Sequence, residues 1–260
     1  MASPPPPPTS SPPPPTPTLL PSPTPTATPL PPEFSFGASA QGRPLVAYRF
    51  GTGEWLLMLV GGVHSGYERN TTALLERIRD QLLADPASVH PRMTWLLIPA
   101  LNPDGMAQGE TLAGRFNANG VDLNRNWGCG WQSEAFFREM RVSAGSAPFS
   151  EPETLALGGL IQQTQPRAVL FYHAAANGVF GGQCDNDVSA DLVRVYGEAS
   201  QYPYGGTFSS YPITGTAPNW VASLGIPAAD VELATASDPE FVRNWRALLA
   251  VQAWIVGQAP

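Results

Sequence analysis

Residues 55–70 read WLLMLVGGVHSGYERN, and the fold class turns on them. Trp55 to Val60 are all apolar, and the run extends through two glycines to Val63 before the first histidine. A strand with one wet face alternates apolar and polar side chains. An unbroken apolar run belongs to a strand buried on both faces, the kind found inside parallel sheets covered by helices. The next segment, Thr71–Leu83 (TTALLERIRDQLL), spaces its apolar residues by three and four and predicts such a helix. Between the two lie His64 and Glu68. On its own that pair reads as a strand running out into a helix at least as well as half of a metal site.

The same grammar continues outward. Leu45–Phe50 is a strand ahead of the Gly51-Thr52-Gly53 turn, and Thr94–Ala100 (TWLLIPA), Ala168–His173 (AVLFYH) and Ala228–Leu233 are further strands. Glu151–Gln163 is a helix with Ser150 as its N-cap and proline at its second position. Ala190–Tyr202 and Phe241–Val256 complete the helices. Continuous apolar strands alternating with helices predict an α/β fold with a largely parallel sheet. Ligands of such sheets collect at the carboxyl ends of the strands. His64, Asn102, His173 and Glu232 all fall at or just past those ends.

The chain has 260 residues, enough for one large domain or two small ones. More than half of its 30 prolines lie in the first 32 residues. A segment so poor in core-forming side chains cannot offset its ordering entropy, so residues 1–33 are expected to be an extended Pro/Thr-rich tether ahead of one globular domain, 34–260. Stalks of this composition link secreted or surface domains to an anchor, so a secreted or cell-surface location is expected although Met1-Ala2-Ser3 runs straight into proline without an export signal. No apolar run is long enough to span a membrane. The net charge is −7, and the 14 basic residues are all arginine and form no stripe, which argues against nucleic acid as a partner. We expect a monomer. Cys129 and Cys184 each sit in a Gly-rich loop, and behind an export-type stalk they are expected to form one disulfide.

The chain has three histidines. His90, in the polar loop SVHPRM, is read as inert. A zinc hydrolase wants two close ligands from one segment and a third from a distant strand, with one position left open. His64, Glu68 and His173 meet that requirement.

Five segments occur together and in order: LNPDG (101–105), GRFNANGVDLNRNW (114–127), PFSEPET (148–154), YPITG (211–215) and GIPAADVEL (225–233). With them the chain resembles the zinc carboxypeptidase family, the carboxypeptidase A-like group, over essentially all of residues 38–257. GVDLNRN is the most specific of the set. The chain looks most similar to the compact bacterial branch without a prodomain, which resembles enzymes that trim peptidoglycan peptides. The resemblance implies a three-layer α/β/α sandwich with a mixed, mostly parallel central sheet, and a single zinc ion held by His64, Glu68 and His173. It further implies that Arg115 stabilises the oxyanion, Asn124 and Arg125 grip the substrate's terminal carboxylate, Tyr211 closes over the bound residue, and Glu232 is the general base. These side chains suit those tasks: a carboxylate beside a water shuttles its proton, and a guanidinium binds an oxyanion or a planar carboxylate. Asp104 and Asp122 are read as turn and scaffold residues, and Trp127, Trp131 and Trp220 as packing.

One departure stands out. The family spacing is His-x-x-Glu, whereas Glu68 lies four residues after His64. Gly66 is expected to absorb the additional residue through its backbone freedom, and an early helix start would put both side chains on one face.

Two substrate classes fit: peptides cleaved at the C-terminal bond, and peptidoglycan peptides with γ-D-glutamyl or diaminopimelate linkages. An aspartoacylase-like deacylase is disfavoured by GVDLNRN and Tyr211. A non-catalytic zinc- or peptide-binding module is disfavoured by the presence of Glu232 and Arg115. Within Ala228-Ala229-Asp230-Val231-Glu232 the strand alternates faces, so Asp230 points the same way as Glu232. The resemblance puts Asp230 in the wall of the pocket for the terminal side chain, where the family usually has a small neutral residue. A buried carboxylate there is costly unless a cation pairs with it. That cation is either an internal arginine or the substrate's own, from a C-terminal lysine, arginine or diaminopimelate.

Overall fold

A computed structural model describes residue 1 and residues 32–258, apart from 207 and 209. The tether expected over 1–33 therefore lies almost wholly outside the described residues. The residues at its end already join the sheet: Glu33 pairs with Tyr48, and the Pro32 carbonyl accepts from the Arg49 N–H at 2.7 Å.

The main sheet contains β1 (Glu33–Ala38), β2 (Pro44–Gly51), β3 (Trp55–Val60), β4 (Met93–Ile98), β7 (Ala168–Ala174), β8 (Gly178–Gly181) and β9 (Ala228–Leu233). Two short strands, β5 (Glu134–Phe137) and β6 (Met140–Ser143), form a separate hairpin. The order across the main sheet is β1-β2-β4-β3-β7-β9-β8. The central strands β4, β3, β7 and β9 are mutually parallel, while β2 and β8 run against their neighbours. This is the expected mixed, mostly parallel sheet. β2 and β3, adjacent in sequence, are separated in space by β4. The chain makes that step at Gly53, where any Cβ would strike the backbone of Arg92 and Met93.

Helices cover both faces. Leu74, Leu75 and Ile78 of α1 (Arg69–Ala84), Leu192 and Tyr196 of α4 (Ala190–Ser200), and Leu248 and Val251 of α6 (Phe241–Gly257) build one core layer with Leu57 and Leu59 of β3. On the other face Leu157 and Ile161 of α3 (Pro152–Thr164) and Trp220 and Val221 of α5 (Ala217–Ser223) pack with Met58, Val60 and Trp127. Successive β3 side chains enter opposite layers, which is why the run has no polar alternation. Each such buried aliphatic side chain contributes roughly 1.5–3 kcal/mol.

The N-terminus of α3 departs from expectation. Glu151, not Ser150, is the N-cap, without a side-chain cap bond, and Pro152 opens the helix. The Ser150 hydroxyl is already committed, donating to Glu151 Oε1 at 2.8 Å and accepting from Asn126 Nδ2 at 3.0 Å. Asn126 Oδ1 serves the helix instead, accepting from the Glu151 N–H (3.2 Å) and the Thr154 hydroxyl (2.6 Å). The DLNRN segment is thereby pinned to α3. The Cys129–Cys184 disulfide forms as expected, with the Cα atoms 6.3 Å apart, and ties the loop after Arg125 to the loop after β8. Among the described residues no helix is long and apolar enough to cross a membrane.

Candidate active site

The carboxyl ends of β3, β7 and β9 open into a cavity of about 1150 Å³ whose lining includes His64, Glu68, Arg115, Asn124, Arg125, His173, Tyr211, Asp230 and Glu232. All nine residues singled out from the sequence are together. His90 is not in the lining.

His64 and Glu68 are brought side by side by a single turn. The Glu68 N–H donates to the His64 carbonyl at 2.8 Å, and α1 starts only after it. That i,i+4 turn absorbs the additional residue, so the helix does not start early. Gly66 acts differently from expectation. It is not among the glycines with positive φ. A Cβ there would collide with the carbonyls of Gly105 and Gly109 and with Gly114 Cα. Close approach, not backbone freedom, requires this glycine, and it draws the His64 loop against the segment that carries Arg115.

His173 comes from the end of β7, which pairs in parallel with β3. His64 Nδ1 lies 2.9 Å from Glu68 Oε1, His173 Nδ1 3.1 Å from Glu68 Oε2, and the two Nδ1 atoms are 3.3 Å apart. Donors bound about 2.05 Å from a tetrahedral zinc ion stand ~3.3 Å from one another. The two nitrogens and the Glu68 carboxylate are therefore spaced like the ligands of such a site, and no other group of this kind occurs among the described residues. The outer nitrogen of His64, Nε2, is oriented by Asp122 Oδ1 at 2.9 Å, a partner that fixes the tautomer leaving Nδ1 free to ligate, while His173 Nε2 lies 3.3 Å from Asn124 Nδ2 and 3.2 Å from Asp230 Oδ1. The donor set fits zinc.

Asp122, read from the sequence as a turn and scaffold residue, supports the site from behind. Its other oxygen accepts from Arg115 Nε (2.9 Å) and Nη2 (2.8 Å), so one buried carboxylate aligns a candidate ligand and the candidate oxyanion arginine. The signal in the sequence was an isolated acid between Arg115 and Arg125. Burial pushes the Asp122 carboxyl up, but Arg115 and then His64 outweigh it and hold it well below the usual range. Glu68 behaves alike: burial opposes ionisation, and the two histidines overcome it. Arg115 Nη1 reaches Glu68 Oε1 at 3.3 Å, and the Phe137 ring lies 3.8 Å beneath the guanidinium.

Arg125 is held by the β5–β6 hairpin, its Nε and Nη2 donating to the Phe136 carbonyl at 3.1 and 3.0 Å and its Nη1 to the Asn124 carbonyl at 2.8 Å. Three of five donors are spent, which leaves one N–H on each terminal nitrogen for a ligand. Asn124 Oδ1 accepts from the Ala217 N–H at 2.9 Å, fixing the direction of its amide nitrogen. Tyr211 packs edge-on between Phe137 and Phe208.

On β9, Glu232 stands opposite His173 in the parallel register and accepts from the Ala176 N–H at 3.1 Å. Burial pushes its carboxyl up to about 7, against the pull of His173. A carboxyl so poised can take up and release a proton near neutrality. Trp127 and Trp220 are core residues, as read from the sequence.

Comparison with known proteins agrees with this geometry. The profile of the zinc carboxypeptidase family matches residues 32–247. Murein peptide amidase A of Escherichia coli K12 is 33% identical over 155 residues, a match covering 55% of this chain and 60% of the amidase. Gamma-D-glutamyl-L-diamino acid endopeptidase 1 of Lysinibacillus sphaericus is 22% identical over 241 residues, 78% of this chain and 60% of the relative. Among solved structures, the murein-tripeptide amidase of Escherichia coli O157 superposes with a TM-score of 0.63 at 25% identity, covering 89% of this chain and 94% of its own. Bovine thrombin-activatable fibrinolysis inhibitor superposes at 0.73 with 17% identity, covering 87% and 90%, and shares the fold. With a family match over most of its length, a donor set that fits the family's metal, and a match to about 60% of the amidase's length, the chain belongs to the zinc carboxypeptidases.

Proposed function

We propose that this protein is a hydrolase that cleaves the amide bond joining a C-terminal residue to the rest of a peptide. The observation that carries the proposal is the convergence, in one cavity, of the His64/Glu68/His173 donor set, a buried carboxylate at Glu232 and the arginines Arg115 and Arg125. His64, Glu68 and His173 would hold a zinc ion, which would supply Lewis acidity toward a water and a carbonyl oxygen. Arg125 and Asn124 take the substrate's terminal carboxylate and so set the distance to the scissile bond. Glu232 removes a proton from the attacking water as the new C–O bond forms. As the C–N bond breaks, it returns that proton to the departing amine nitrogen. Arg115 stabilises the oxyanion, and Tyr211 closes the cavity over the bound residue.

A second reading is favoured by the relatives. Two of them bear names that denote murein peptides or γ-D-glutamyl-diamino acid bonds, and such substrates also end in a free carboxylate. C-terminal residues with a side-chain cation, diaminopimelate included, suit both readings. The disulfide and the proline-rich segment support a secreted or surface-tethered location.

Replacing Glu232 with glutamine separates base from metal. Turnover is expected to fall by about 10³-fold or more, judged by the usual cost of losing a general base, with zinc still bound at one per chain. Chelation should abolish wild-type activity, and added zinc should restore it. Full activity in the glutamine variant, or in metal-free protein, would refute the mechanism.

A further inference from the structure

Asp230 is the unresolved charge of the cavity. It is only 9% exposed and lines the cavity beside Asn124 and His173. The internal arginine that could have neutralised it is absent: among the described residues His173 makes its one ion pair, and no arginine nitrogen comes within 4.0 Å. Neither of its contacts is a good hydrogen bond. Oδ1 approaches His173 Nε2 at 3.2 Å without hydrogen-bond geometry and has no hydrogen-bond partner, and Oδ2 accepts from Asn124 Nδ2 at 3.5 Å, the limit for such a bond. A buried carboxylate with an unpartnered oxygen on a cavity wall lacks a cation from the cavity.

The charges of the site say which cation. The cavity lining holds the acids Glu68, Glu110, Glu139, Asp230 and Glu232 and the arginines Arg115, Arg125 and Arg138, with Asp122 behind Arg115. Six acids thus face three arginines, and a divalent metal ion brings only two further positive charges. A substrate ending in phenylalanine then adds an unbalanced carboxylate, whereas one ending in lysine brings its own counter-charge. Asn124 touches Asp230 and belongs to the proposed carboxylate clamp, so the clamp and Asp230 are neighbours, as are the two charges of a basic amino acid.

We infer that Asp230 is a specificity residue that receives the side-chain ammonium or guanidinium of a C-terminal basic or diamino acid. The inference rests on the hydrolase reading above but is tested apart from it. The zinc-loaded Glu232→Gln protein binds no substrate productively, so calorimetry can compare free lysine with norleucine, which differs from it by the terminal ammonium. Lysine should bind at least tenfold more tightly, about 1.4 kcal/mol. Adding Asp230→Asn, which keeps the shape and removes the charge, should erase the difference with zinc content unchanged. With Glu232 intact, kcat/KM for N-acyl dipeptides ending in lysine or diaminopimelate should exceed that for phenylalanine, and Asp230→Asn should lower the ratio at least about tenfold. If lysine binds no better than norleucine, the inference is wrong, and the wild-type comparison decides this even where the variant does not fold. If Asp230→Asn loses zinc but keeps the lysine preference, Asp230 only positions His173 and the inference also fails. Preferential binding of lysine without hydrolysis of any substrate would sink the hydrolase reading and support Asp230 as a cation receptor.

Discussion

Glu232 shows what burial does to a single side chain at this site. Its carboxyl is pushed up from an ordinary value of 4.5 to about 7. The base must be ionised to act, so the rate is lost as pH falls through its pKa. The positive charge of a bound metal draws that value back down. The acid limb of kcat/KM should therefore have its midpoint above 4.5 and no higher than about 7, read from a pH–rate profile of zinc-saturated enzyme. A limb at or below 4.5 would mean that Glu232 is not the group being titrated. The residues named from the sequence were legible because their motifs are specific and their chemistry is fixed by side-chain type. Asp122 was harder to see because an acid's task depends on what it faces, and His64 is 58 residues away. Gly66 was identified for the wrong property, since the constraint comes from Gly105, Gly109 and Gly114, in a segment the sequence does not place beside it.

Among the elements, the β5–β6 hairpin was invisible in the sequence for a physical reason. Its turn, Arg138-Glu139, contains no glycine or asparagine, and Arg138 itself takes the left-handed conformation at φ 58°. β8 escaped notice because it is four residues long with glycine at both ends, and β1 because it abuts the proline run. The long buried strands and the helices α1, α3, α4 and α6, by contrast, were evident, whereas the seven-residue α5 is too short to show a helical period. Yet the hairpin supports the substrate contacts: the Phe136 carbonyl holds Arg125, and the Phe137 ring touches Arg115, Tyr67 and Tyr211. A desolvated cation–π contact is worth up to about 2 kcal/mol, and each 1.4 kcal/mol is a factor of ten. Phe137→Leu should accordingly lower kcat/KM about tenfold at unchanged zinc content, while Phe137→Tyr, which keeps the aromatic face, stays near wild type. Equal losses in both variants would mean that only packing matters there.

For the molecule as a whole, stability and metal binding are expected to separate. Two apolar layers on either side of the sheet carry the fold without any contribution from the donor set. Removing zinc should leave the far-UV circular dichroism and a cooperative thermal transition in place, with Tm lowered by the lost binding energy. Unfolding at room temperature on chelation would show that the metal is structural. A small zinc finger behaves in that opposite way, because it has no core of its own.

The parallel register of β3 and β7 has one more implication. Val60 lies opposite Phe171, and His173 opposite Glu232 on the next strand. Successive side chains of a strand point to opposite faces, so a slip of one residue in either pairing would turn His173 away from His64 and Glu68, or Glu232 away from both. Zinc cannot template the sheet, because its ligands meet only after the strands have zipped correctly, across a separation of 109 residues. It can only inspect the result. The zinc content of a preparation is thus a census of correctly registered molecules.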